Sequence, residues 1–121
     1  MLYKILCIFL FWANLCYAEE GIGSWYGNES ICWQWGGYTR NGEKFDENAL
    51  TCALPNKEGL NKYYKVTNLE NNKSVIVWAN DTGSFKKYNR IVDLSKGAFK
   101  RIGELKEGVI KVRMEVLNEK K

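Results

Sequence analysis

Ser74-Val75-Ile76-Val77-Trp78-Ala79 is a near-continuous apolar run, and it stops abruptly at Asn80-Asp81-Thr82-Gly83. Such a run is the pattern of a strand buried on both faces. The four residues after it are all turn formers. Asp81 is therefore either the opening of a turn or a carboxylic acid delivered to the end of a strand. The 121 residues contain no histidine, so any acid–base chemistry falls to carboxylates. Glu43, Asp46, Asp81 and Asp93 are the candidates. Val77 and Trp78, just ahead of Asp81, would take part of its carboxyl out of water.

Outward from that run the chain reads as short strands. Tyr63–Thr67 is β-branched and aromatic, and it is joined to Ser74 through Asn68-Leu69-Glu70-Asn71-Asn72, whose asparagines tolerate the positive φ of a tight hairpin. Arg90–Leu94 is another short strand. Ile110, Val112, Met114 and Val116 alternate with charged residues, the mark of a half-buried strand. One helix is expected, capped by Ser95, with Ala98, Phe99 and Ile102 on one face and Gly103 ending it. The pattern predicts an all-β fold, a small barrel with one short helix. Gly27–Asp46 is loop-rich, with Gly36-Gly37 and Asn41-Gly42, and only 118–121 should fray.

Met1–Ala18 has the layout of a secretory signal: Lys4, an apolar core over Ile5–Ala13, and the small-x-small site Cys16-Tyr17-Ala18 ahead of Glu19-Glu20. The core is too short for a span of ~20 residues. Lipidation at Cys16 is disfavoured, because Leu15 stands where a small residue is usual. The domain is then 19–121, in the periplasm or secreted. Loss of Lys4 lowers the net charge from +4 to +3. The remaining basic residues are spread along the second half, so nucleic acid is not indicated, and an anionic wall polymer suits the charge better. Cleavage would leave Cys32 and Cys52, which either form one disulfide worth ~3 kcal/mol or remain free, one buried in a strand. No metal ligand set or cofactor motif is visible.

Trp25, Tyr26, Trp33, Trp35 and Tyr38 crowd into and around the Gly-rich loop. Flat aromatic faces stack on sugar rings, whereas aromatics that lid a small barrel serve only packing. Both readings stay open from composition alone.

Several segments then form one ordered series: Gly23-Ser24-Trp25-Tyr26-Gly27, Thr39-Arg40-Asn41-Gly42-Glu43-Lys44-Phe45-Asp46, Asn48-Ala49-Leu50-Thr51, Val66-Thr67-Asn68-Leu69, Ser74–Val77, Asn80–Phe85 and Arg90-Ile91-Val92-Asp93-Leu94-Ser95. The series resembles the RlpA-like family of double-psi β-barrel proteins over Gly23–Leu117. The resemblance implies six strands around a barrel with a groove across one face. It implies lytic transglycosylase activity on peptidoglycan glycan strands, with no cofactor, in a monomer. Cell-envelope or division proteins would be further partners. Carried over by position, Asp81 is the general acid/base and Glu43 a supporting catalytic residue. Trp25, Tyr26, Trp33, Trp35, Asp46 and Asn80 would line the substrate groove.

The chain departs from the family pattern at three points. The family's histidine, eleven residues after the Glu, falls on Leu54, and the Arg and Pro after the Asp become Thr82 and Ser84. Extra residues between Gly27 and Thr39 include Cys32, and a Cys32–Cys52 bond would tie that loop down. Asp93, just before the helix, is expected to cap backbone amides. Asp46 is equally a turn residue or a groove residue. Two functions follow: a lytic transglycosylase using Asp81, or a non-catalytic, expansin-like wall-binding module in which the altered site binds without cutting.

Overall fold

The structure, a computed structural model, describes residues 18–30, 36–83 and 89–117. The signal segment through Tyr17, Cys32, Trp33, Trp35, Ser84 and the expected fraying at 118–121 lie outside these residues. The strands are β1 (Ala18–Tyr26), β2 (Thr51–Leu54), β3 (Tyr63–Asn68), β4 (Ser74–Thr82), β5 (Arg90–Ser95) and β6 (Ile110–Val116), with one α-helix, α1 (Lys96–Ile102), after β5. They close in the order β1-β5-β2-β4-β3-β6. β1 lies parallel to β5 and antiparallel to β6, while β2 lies parallel to β4 and antiparallel to β5. β3 is antiparallel to both its neighbours. This is the all-β, six-stranded double-psi barrel with one short helix that the sequence implied.

The core is filled by alternate residues of each strand and by the apolar face of α1. Val66, Val77, Val92, Leu94, Val112, Phe99 and Ile102 are fully buried. β4 corrects one expectation. It is not buried on both faces: Val75, Val77 and Ala79 point in, whereas Ile76 is 52% exposed and Trp78 half-buried. A single-layer barrel has only one core-facing side, so apolar residues at the other positions of β4 face outward. Cys52 is an unbonded thiol, fully buried in the core. Its β2 position points it inward beside Ala79 and Leu94, its partners across the sheet. Burial pushes the thiol's pKa well up, with Asp93 and Asp81 adding to it, so the group stays protonated and inert.

Two irregularities in pairing decide which way the polar residues point. Cys52 pairs with Ala79 and Ala53 with Asp81, so Asn80 is an extra, bulged residue on β4. Ile22 pairs with Arg90 and Gly23 with Val92, so Ile91 is the extra residue on β5. Each bulge resets the alternation by one residue. Asp81 therefore shares a face with Trp78, and Asp93 with Arg90, all directed away from the core.

Ser95 joins the barrel to the helix. Its Oγ accepts the Ala98 N–H at 3.2 Å and donates to the Ala49 carbonyl. Gly97 allows α1 to touch the 47–49 turn, where its N–H donates to the Glu47 carbonyl at 2.7 Å. Gly103 ends the helix as expected, but with extended backbone (φ −164°) rather than a left-handed residue. Asn72 takes the positive φ (+63°) foreseen for the β3–β4 hairpin.

Candidate active site

Asp81 is the penultimate residue of β4. Its Oδ1 accepts the backbone N–H groups of Arg40 at 3.0 Å and Thr82 at 2.9 Å. Its Oδ2 accepts the Tyr26 hydroxyl at 3.1 Å. An ionised carboxylate offers about four acceptor positions. Three are occupied by the protein, and one remains open on Oδ2. Asp81 is thus oriented by three donors and still open to a ligand.

Tyr26 is held in turn. Its ring stacks on Phe45, centroids 4.8 Å apart and planes at 24°. Burial first, then the charge and hydrogen bond of Asp81, push its phenol far above the ordinary tyrosine value. The hydroxyl therefore keeps its proton and remains a donor.

Arg40 and Glu43 arrive on a small hairpin. Tyr38 bridges Lys44, Thr39 N–H donates to the Glu43 carbonyl at 2.7 Å, and Gly42, at φ +94°, makes the turn. This hairpin lies along the end of β4. Arg40 N–H meets Asp81, Asn41 N–H donates to the Asn80 carbonyl at 3.1 Å, and the Glu43 side chain lies beside Asn80 and Trp78. Glu43 Oε1 accepts from Asn80 Nδ2 at 3.1 Å, and Oε2 from Trp78 Nε1 at 3.2 Å. The Asn80 bond chiefly, with help from Trp78 and Asn41 against some desolvation, holds the Glu43 carboxyl below its ordinary pKa. Glu43 is an exposed anion at neutral pH, which suits it to electrostatic support rather than to proton donation.

A second carboxylate stands in the same row of the sheet. Ala53 pairs with Asp81 on β4 and with Asp93 on β5. The two acids leave one face two strand spacings apart, about 10 Å between backbones, with a small residue between them. Asp93 does not cap the helix; Ser95 does that. Instead Arg90 grips it with two bonds, Nε to Oδ1 at 3.2 Å and Nη2 to Oδ2 at 2.9 Å. Burial raises the Asp93 pKa, and Arg90 only partly offsets the effect.

Other sequence candidates go elsewhere. Trp25 points inward on β1, where its ring packs beside Phe99 at 6.5 Å and Nε1 donates to the Leu105 carbonyl at 3.1 Å. Asp46 is exposed and makes an Asx turn, Oδ1 accepting the Asn48 N–H at 2.9 Å. Asn80 is 3% exposed and acts on Glu43. Leu54 is 6% exposed, packs in the core cluster and brings no polar atom to the site. Sequence reasoning gave no site role to Arg40 or Tyr63, and to Trp78 only that of drying the Asp81 carboxyl. The signal for Trp78 was its position three residues before Asp81, which shares a face only because of the bulge. Among the described residues no group of three or more His, Cys, Asp or Glu is placed to hold a metal ion, and no helix is long and apolar enough to cross a membrane.

The topology and the carboxylate row define a double-psi β-barrel protein with an acidic site at its rim. The profile of the lytic transglycolase family matches residues 18–114, and the chain belongs to this RlpA-like family of double-psi β-barrel proteins. It is 46% identical over 101 residues to the endolytic peptidoglycan transglycosylase RlpA of Campylobacter jejuni, covering 81% of this chain and 34% of that protein. A protein of the same name from Rickettsia typhi is 44% identical over 104 residues, covering 84% of this chain and 31% of the other. The chain thus spans about a third of the length of these relatives. Among solved structures, Streptomyces papain inhibitor superposes with a TM-score of 0.68 at 18% identity, over 85% of this chain and 96% of its own. The apo-expansin of Clavibacter michiganensis gives 0.65 at 16% identity, over 86% and 52%. At these identities the likeness is one of fold alone.

Proposed function

We propose that the protein is a peptidoglycan lytic transglycosylase. It would cleave the β-1,4 bond between N-acetylmuramic acid and N-acetylglucosamine without water. The observation that carries this reading is Asp81, held by Tyr26, Arg40 and Thr82 with one acceptor position left open. The names of the relatives at 46% and 44% identity support the substrate. Protonated Asp81 gives its proton to the glycosidic oxygen as the bond to the muramyl anomeric carbon breaks. The resulting carboxylate then takes the proton of the muramyl 6-hydroxyl as that oxygen closes on the same carbon. The products are a free 4-hydroxyl on the leaving sugar and a 1,6-anhydro muramyl end. The Glu43 anion, beside Asn80 and Trp78, adds a negative field to the groove in which the positive charge of the ring develops. The reading includes export and removal of 1–18, which N-terminal sequencing of envelope protein checks: a mature chain beginning near Glu19 is expected.

Leu54 favours a second reading. With an apolar side chain at the family's histidine position, the groove would bind glycan strands without cutting them. Digestion of purified sacculi with mass analysis of the fragments separates the two. Anhydro ends, one water lighter than hydrolytic ends, released by wild type and lost in Asp81→Asn, are expected for the enzyme. Pelleting with sacculi and no fragments would establish the binding module, and activity retained in Asp81→Asn would remove Asp81 from the chemistry.

A further inference from the structure

From an aromatic pair beside the acid we infer that Tyr63, Trp78 and Glu43 form a sugar-binding subsite. It would receive an N-acetylhexosamine ring of a glycan strand away from the bond being cleaved, an inference that rests on the glycan-strand reading above. Tyr63 on β3 lies directly opposite Trp78 on β4, ring centroids 4.7 Å apart and planes at 51°. A cross-strand aromatic pair stabilises a sheet in its own right. This one has three further properties that sheet stability does not require.

First, Tyr63 is 46% exposed and Trp78 half-buried on the outward face, so aromatic surface is offered to solvent. Second, Trp78 spends its one polar atom on Glu43, so the indole is fixed in place and leaves only its ring to a ligand. Third, the Glu43 carboxylate is exposed, and one Asn80 bond and one Trp78 bond leave acceptor positions free. An apolar face beside hydroxyl-seeking acceptors matches a pyranose. Its C–H face meets the negative face of an aromatic ring, and its hydroxyls donate to a carboxylate.

The patch is also continuous with the acid. The bulge at Asn80 puts Trp78 and Asp81 on the same side of β4, about 10 Å apart along the strand. The Tyr38–Lys44 hairpin runs between them, touching Asp81 through Arg40 and Trp78 through Glu43. A strand seated at Asp81 and following this hairpin passes over Trp78 and Tyr63. A sugar at that point makes no contact with the reacting bond, so the subsite contributes to affinity and strand placement.

The test measures binding of peptide-free glycan strands, prepared by amidase treatment of sacculi, to the Asp81→Asn protein, which leaves them uncut. Tyr63→Leu and Trp78→Leu are added singly, since leucine keeps an apolar barrel surface without a ring face. Trp78→Phe keeps a ring and loses the bond to Glu43. Thermal melting selects the variants that are folded at the assay temperature, with Tyr63→Ser as the second exposed-site variant. Each ring-deleting variant is expected to weaken binding about threefold to tenfold, and Trp78→Phe to stay close to the parent. Equal binding by parent and leucine variants would overturn the subsite and leave the glycan-strand reading intact. Trp78→Phe binding as weakly as Trp78→Leu would overturn ring stacking. No binding by either the parent or the wild type would overturn both the subsite and the reading beneath it.

Discussion

The Tyr26 hydroxyl donates to Oδ2 of Asp81 at 3.1 Å, joining the last residue of β1 to the end of β4. In the proposed reaction this bond falls on the same carboxylate oxygen as the transferred proton, the one with an acceptor position left open. Tyr26 is thus a positioning residue for Asp81, fixed by its stack on Phe45.

Tyr26→Phe removes that donor and keeps the stack. A hydrogen bond to a charged group contributes about 1.5–3 kcal/mol. A fall in kcat of about tenfold to a hundredfold is expected, with KM little changed and the melting temperature near wild type. Sacculus digestion kinetics check it, and an unchanged kcat would show that Arg40 and Thr82 orient the acid unaided.

Glu43 gives a pH signature. Its pKa is lowered on folding, chiefly by Asn80, so the folded state binds this proton less readily than the unfolded chain does. The associated stability is present above the ordinary glutamate value of about 4.3 and is lost as the pH falls through the lower folded value. Urea unfolding of wild type and Glu43→Gln at pH 7 and pH 3 should show a gap that narrows at the lower pH. The gap should be small, because the carboxylate is exposed.

Arg90 and Asp93 differ in what their loss leaves behind. Arg90→Met strands a carboxylate whose side chain is only 13% exposed, at a cost of about 1–3 kcal/mol, less than for a fully buried pair. Asp93→Asn leaves a neutral side chain beside a more exposed arginine and should cost less. Denaturant midpoints of the two variants give the order; the reverse order would contradict the burial assigned to Asp93.

Gly97→Ala should destabilise the fold although helix propensity alone favours alanine by about 1 kcal/mol. A Cβ there would stand 2.7 Å from the Asn48 carbonyl oxygen and 2.9 Å from its carbon, both backbone atoms. Relief requires α1 to move off the 47–49 turn, costing about 1–3 kcal/mol by the usual scale of overpacking. A lower melting temperature is expected, and a raised one would mean that the helix docks more loosely.

Four strands were readable from residue pattern, β6 by its alternation, β4 by its apolar run, β3 by its β-branched and aromatic residues and β5 as a short apolar segment, as was the Ser95 cap. β1 was not, because Ala18–Tyr26 carries Gly21 and Gly23 and abuts the apparent cleavage site, which masks any period. β2 is four residues long and wholly buried, too short to show a period. At the site, Asp81 and Glu43 were legible through the family series, and Tyr26 as a residue near them. The outward direction of Trp78 and the grip of Arg90 on Asp93 were not. On a regular strand, residues three apart face opposite ways, and only the bulges at Asn80 and Ile91 bring these pairs onto one side. A bulge is a property of pairing between strands and leaves little trace within one. Leu54 shows the converse: sequence marked the departure, and the structure gave it an ordinary place in the core.

The position of β1 bears on how the molecule is made. The first strand lies between β5 and β6, so the edges of the sheet cannot meet until the whole barrel sequence is available. Pairing across nearly the full chain carries a high loop-closure cost and slows folding. Until β6 arrives, β1 and β3 each present a strand edge open to wrong partners. For the export proposed above, in which the chain would thread through a membrane pore as an extended polymer, such a delay would be a gain, since the form that could block passage is the last to assemble.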